Sequence, residues 1–299
     1  MTLQKRFSIL NDRVFSTVNY VFLVVCLMVT FFPLLNVVAQ SLSSPASVIA
    51  GKVLFWPVNP SLTGYRHIIQ DRSLLMGFAN SFLYTFLGTL ISVVLTLTGA
   101  FPLARKTFVG RKIITWIFTF TMIFYGGMIP TYILIRDLKM YDTIWALIIP
   151  NAVGVWNLFI ARAFFENTIP EELYEASELD GCSDIGIFTS VVIPLSKPVI
   201  AVMVLFYAIS LWNNYFDGLI YLSSSNKYPL QLVLRNILIK SQMLTFLKAS
   251  SGQDQSEIMA LAEVMKYSVI VFASLPVMIL YPFIQKYFVK GIMIGSVKG

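Results

Sequence analysis

The sequence predicts an all-α fold: a polytopic membrane protein with six transmembrane helices and a cytoplasmic helix-turn-helix loop. Three observations carry this. Of 299 residues, 57% are apolar and only 12% charged, where a soluble domain carries about 25% charged residues. Six windows contain no Asp, Glu, Lys or Arg: 14–51, 73–104, 113–135, 143–161, 198–216 and 267–285. Each is long enough for the roughly 17 to 25 helical residues that cross about 30 Å of hydrocarbon. Finally, the basic residues behind the net charge of +7 stand in short clusters between the apolar runs, a placement that fits membrane topology better than nucleic-acid binding.

A charge at mid-bilayer costs about 2.5–3.5 kcal/mol on insertion scales, so six uncharged windows form a joint signal. Within the two longest windows the apolar part is shorter, which sets the spans near 14–39, 78–103, 113–135, 143–161, 198–216 and 267–285. A closed barrel would need two-residue alternation, which is absent. The first span follows Lys5, Arg6 and Arg13, as a signal peptide would, but its apolar core exceeds an h-region of about 7 to 15 residues and reads as a retained helix. Gly126, Gly127, Pro130 and Pro150 interrupt the third and fourth windows and mark either a bend or close helix packing.

Orientation follows from the basic clusters. Lys5, Arg6 and Arg13 precede the first span; Arg105, Lys106, Arg111 and Lys112 fill the turn after the second; Lys286, Lys290 and Lys298 follow the sixth. The positive-inside rule makes these segments cytoplasmic and both termini internal. Residues 1–13 are then a cytoplasmic tail and 14–299 one transmembrane domain, with external segments at 40–77, 136–142 and 217–266. Segment 162–197 is cytoplasmic by parity, although Arg162 and Lys197 face seven acidic residues there.

That acidic segment has its own local logic. Thr168 and Glu171 are spaced as a capping box, with Pro170 in the first turn, which predicts a helix start. Glu171, Glu172 and Glu175 suit its positive end. Gly181 supplies the left-handed residue that stops it, and Ser183 caps a second short helix closed by Pro194. Leu173, Ala176, Ser177 and Asp180 share one face. Such a projection either docks in a groove on a partner or is simply a solvated loop. Its acidic excess repels phosphate, which excludes a DNA-reading role.

Glu175-Ala176-Ser177, then Gly181, then Val191-Val192-Ile193-Pro194 resembles the EAA motif of ATP-binding-cassette (ABC) importer permeases. Ser177 replaces the usual Ala, and Ile193 the usual Leu. Pro170, Glu172-Leu173, Asp180 and Pro194-Leu195 are similar to the carbohydrate-uptake version that includes maltose-type permeases, and the ending YPFIQKYFVKGIMIGSVKG is similar to the tail of their shorter subunit. The resemblance implies that 162–197 is a coupling loop that sits in a cleft of a cytoplasmic ATPase, through Glu171, Glu172, Glu175, Ala176, Ser177, Asp180, Gly181 and Pro194. It further implies a second homologous permease, two ATPase subunits that hold ATP and Mg, an extracytoplasmic solute-binding protein, a carbohydrate substrate and a bacterial cytoplasmic membrane.

The chain contains no G-x-x-x-x-G-K-[ST] loop, so ATP has no phosphate cradle on it. One histidine, His67, and two dissimilarly placed cysteines, Cys26 and Cys182, provide neither a hydrolase set nor a zinc site. An ion-coupled carrier of a small polar solute is the alternative reading, weakened by the absence of ionisable residues in the spans. For substrate contact the candidates are Asn151, Asn157, Trp212, Asn213, Asn214 and Tyr215, because sugars are held by planar hydrogen-bonding groups beside aromatic faces. Helix pairing by Asn and interfacial anchoring by Trp or Tyr explain the same residues. Ser251, Gly252, Gln253 and Asp254, in the last external segment, are the candidates for contact with the binding protein; a polar linker is the alternative.

Overall fold

A computed structural model describes residues 3–239 and 256–295, with side chains at 14–239 and over most of 260–285. The described residues form helices joined by turns, with no strand beyond an isolated bridge between Ser43 and Pro60. In chain order the helices are α1 (Leu3–Ser41), α2 (Pro45–Ile49), α3 (Thr63–Gln70), α4 (Arg72–Ala104), α5 (Arg111–Ile123), α6 (Met128–Asp137), α7 (Trp145–Ile148) and α8 (Val155–Thr168). There follow α9 (Glu171–Leu179), α10 (Asp184–Ile187), a π-helical turn (Phe188–Val192), α11 (Ile193–Leu195), α12 (Lys197–Trp212) and α13 (Phe216–Tyr221). A 3₁₀ turn at Ser225–Lys227, α14 (Leu230–Ile239) and α15 (Ser256–Gly295) complete the order.

Among the described residues three helices, over Val14–Ser41, Arg72–Ala104 and Ala260–Phe283, are long and apolar enough to cross a membrane unbroken. The third window is instead split into α5 and α6, which meet at 114°, around Gly127 at φ 92°. That conformation is open to glycine and strained for other residues. Pro130 falls in the first turn of α6, where its missing N–H is harmless. The fourth window is split as well, into α7 and α8, with Pro150 in the connecting turns. Helix α12 meets the stretch Asp184–Leu195 at 83° and ends at Trp212, so Asn213, Asn214 and Tyr215 lie in the break before α13 rather than inside a helix.

The chain forms two compact units. In the first, residues 1–71 and 237–272, the apolar seam joins Ala39, Val48, Val53 and Val264. Ser268 Oγ donates to Ser41 O at 3.2 Å, and Asn36 Nδ2 donates to Leu54 O at 2.8 Å. Residues 14–35 of α1 are all exposed, as suits a helix whose solvent is lipid or a neighbouring chain.

The second unit, residues 72–236 and 273–299, is built on α4. Its Val93, Leu97, Ala100 and Phe101 pack with Leu158, Ala161 and Phe165 of α8 and with Val199, Met203 and Tyr207 of α12. Tyr207 OH is 2.6 Å from Thr96 Oγ1 and accepts from Gly154 N at 3.0 Å, so this one buried phenol ties all three elements. The segment after α13 is ordered by Asp142, whose carboxylate accepts from Ser223 N and Ser224 N at 3.0 Å, Ser224 Oγ at 2.6 Å and Lys227 Nζ at 2.8 Å.

The Lys227 ammonium foremost, then the Ser224 groups, hold the Asp142 carboxyl well below the usual carboxylate range. A depressed folded-state pKa stabilises above the unfolded value and loses that effect only as pH falls through the folded one. Asp142→Ala is therefore expected to cost about 1.5–3 kcal/mol, equally at pH 7 and pH 5, as read by thermal unfolding in detergent.

Candidate functional site

The acidic segment folds as a projecting turn of two helices. Thr168 is not the cap expected of it: it still belongs to α8, so its backbone is committed there and Pro170, at φ −61° and ψ 145°, takes the cap position of α9 without a side-chain bond. Pro194 likewise does not close the second helix, which runs on to Leu195. Ser183 does cap α10, accepting from Gly186 N at 3.2 Å. The stop of α9 is a Schellman arrangement: Cys182 N donates to Ser177 O and Gly181 N to Glu178 O, both at 3.0 Å, with Gly181 at φ 77°.

Of the residues in the predicted motif, Glu172, Glu175, Ala176, Asp180, Gly181 and Pro194 are exposed; Glu171 and Ser177 are half-buried. Ser177 Oγ bonds back to Leu173 O at 2.7 Å, which turns this hydroxyl onto its own helix, while Glu175 and Ala176 face outward. Leu179 and Ile185 flank the turn at 89% and 76% exposure, an apolar pair that favours cover by another protein.

The inner face of α9 shows what sequence reasoning missed. Tyr174 is buried against Phe101, their ring centroids 6.4 Å apart. The Arg105 guanidinium stands 4.2 Å from the Tyr174 ring centre and pairs with Glu178. Lys106 reaches Glu171 at 3.2 Å, Arg111 reaches Glu166 at 2.5 Å, and Arg162 reaches Glu166 at 3.1 Å. The basic turn after α4 thus pairs with three of the segment's seven acidic residues. Burial pushes the Tyr174 phenol above its ordinary range; the Arg105 charge opposes this and Glu171 adds to it.

The candidate substrate residues separate into two groups. Asn151 and Asn214 both donate to Asp217 Oδ2, at 2.7 and 2.5 Å, and Asn214 Oδ1 accepts from Asp217 N at 3.1 Å. Exposed Asn213 and Tyr215 adjoin this cluster in sequence. Asp217 falls one residue beyond the uncharged window, which is why the sequence did not place it. Trp212 is 4% exposed, donates Nε1 to Ala273 O at 3.0 Å and meets Phe78 edge-on at 5.7 Å; its ring is core rather than a sugar platform. Asn157 is half-buried in the first turn of α8. Ser251, Gly252, Gln253 and Asp254 lie outside the described residues.

Comparison with known proteins bears on the whole chain. Residues 3–294 match the family described as binding-protein-dependent transport system inner membrane component. Protein LplC of Bacillus subtilis is 40% identical, covering 96% of both chains. The polygalacturonan/rhamnogalacturonan transport system permease YtcP of Bacillus subtilis is 38% identical over 97% of this chain and 100% of its own. A crystal structure of a bacterial ABC transporter involved in the import of the acidic polysaccharide alginate contains a chain that superposes with TM-score 0.82 at 32% identity, covering 93% of this chain and 98% of the other. With a family match over nearly its full length and relatives at 40% and 38% identity over almost whole chains, the chain belongs to the inner membrane components of binding-protein-dependent transport systems.

Proposed function

We propose that this chain is a membrane-spanning permease subunit of an ABC importer that carries an oligosaccharide into a bacterial cell. The observation that carries the reading is the capped, outward-facing α9 with its Gly181 turn, in a chain of this family. A short helix that exposes Glu175 and Ala176 while its inner face is anchored is shaped to enter a groove, because small side chains allow close approach and a carboxylate supplies a directional bond. The ATPases that bind ATP and Mg are separate subunits. The chain's own part is to receive their movement at α9 and turn it into a change of access along the path, as rigid-bundle rocking does in other transporters. An ion-coupled carrier has no use for such a loop.

The other assignments follow from that reading. A second homologous permease completes the path, both termini face the cytoplasm, and an extracytoplasmic binding protein delivers the substrate, with 251–254 as its contact. Asn151 and Asn214, held by Asp217, and the neighbouring Asn213 and Tyr215 are the residues here that can meet sugar hydroxyls, with Asn157 further along. The relatives named for acidic polymers, at 38% and 32% identity, are more similar than those named for arabino-oligosaccharides or melibiose and raffinose, at 26–28%. Uronate-containing oligosaccharides are therefore the first substrates to test.

The test is purification from the native membrane in mild detergent, followed by uptake into vesicles of labelled oligogalacturonides and neutral oligosaccharides. The expected result is an associated ATPase and a second permease, with uptake that requires ATP. A chain that purifies alone and transports independently of ATP would sink the proposal.

A further inference from the structure

We propose that Arg105 is the positioning residue that grips the coupling helix α9 and fixes it to the end of α4, so that movement of α9 is passed to α4. This rests on the permease reading above. Arg105 directly follows α4 and is only 8% exposed. A buried guanidinium is costly unless it is paired, and both of its partners are on α9: the face of Tyr174 at 4.2 Å and the carboxylate of Glu178. Tyr174 and Glu178 are one helical turn apart, so one side chain holds α9 over a full turn. Phe101, one turn back on α4, packs on the same Tyr174 ring. Phe101 and Arg105 thus bracket α9 from a single helix, the one against which α8 and α12 both pack.

The pair from Lys106 to Glu171 differs at its cation, which is 75% exposed where Arg105 is buried, and solvent-facing ion pairs hold little. Arg105 Nη1 and Tyr174 OH are buried without a hydrogen-bond partner. The planar fork and the ring contact are specific to arginine, and lysine reproduces the charge alone.

The experiment uses the complete importer with its partner permease, ATPases and binding protein in proteoliposomes. Arg105→Met, Arg105→Lys, Glu178→Gln and Lys106→Met are compared for assembly by gel filtration and for substrate moved per ATP hydrolysed. The expected result is assembled Arg105→Met complex that hydrolyses ATP while transport per ATP falls roughly fivefold or more. Arg105→Lys and Glu178→Gln should fall less, and Lys106→Met should match the wild type. A merely structural Arg105 would lower the yield of complex without changing that ratio.

Assembled Arg105→Met with a wild-type ratio overturns the inference. If Arg105→Met fails to assemble, a wild-type ratio in both Arg105→Lys and Glu178→Gln overturns it. A wild-type chain that never binds an ATPase overturns the permease reading and this inference with it.

Discussion

Gly181→Pro should abolish ATP-driven uptake while leaving the chain inserted in the membrane. Two faults coincide at that position. Gly181 has φ 77°, whereas the proline ring locks φ near about −65°. Its N–H also donates to Glu178 O, and proline has none to give. The turn that directs the chain from α9 into α10 cannot form, yet no other group lies within 4 Å of where a side chain would stand, so the rest of the fold has no reason to change.

Ala176→Trp makes the complementary test. Ala176 is exposed, so a bulky ring there is harmless to this chain and harmful only in a groove that receives α9. A central interface position is expected to cost 2 kcal/mol or more, roughly thirtyfold in ATPase affinity. Both variants are scored by membrane yield, ATPase co-purification and uptake. Normal uptake by both would show that α9 docks nowhere.

The second large effect is expected at Gly64, in α3. A Cβ there would stand 2.1 Å from Ser268 Oγ, 2.9 Å from Ser268 Cβ and 3.0 Å from Val264 Cγ1. Ser268 cannot simply rotate away without losing its buried bond to Ser41 O. Gly64→Ala should cost about 1–3 kcal/mol by overpacking, and Gly64→Val should cost more, read as loss of monodisperse protein and a lower Tm in detergent. Ser268→Ala removes the nearest atom but keeps the Cβ at 2.9 Å, so the double variant should recover part of the loss. Strict additivity in that cycle would place the strain elsewhere.

The helical class and the Gly181 turn between two short helices were legible because each is written locally. Uncharged windows report lipid directly, and Gly181 at the end of an acidic helix reports a left-handed stop. The bends were half-legible: Gly126-Gly127 and Pro150 signalled an interruption, but not that it would become a 114° break. Thr168 misled because a capping spacing is a local signal, and the preceding α8 had already claimed that residue. The pairing of Arg105 with Glu178, and of Asn151 with Asp217, joins residues far apart in the chain, and nothing in either stretch alone names its partner. Trp212 looked like a sugar platform beside two asparagines, and only its buried bond to Ala273 O shows it to be core.

The Gly181 turn has a practical consequence through the residue beside it. The chain has two cysteines, both free and exposed, but Cys26 sits on the apolar run of α1 while Cys182 sits at the tip of the acidic turn. A membrane-impermeant thiol reagent applied from the aqueous side that carries the turn therefore has one native target. Its labelling rate becomes a footprint of whatever covers that tip, read on the unaltered protein.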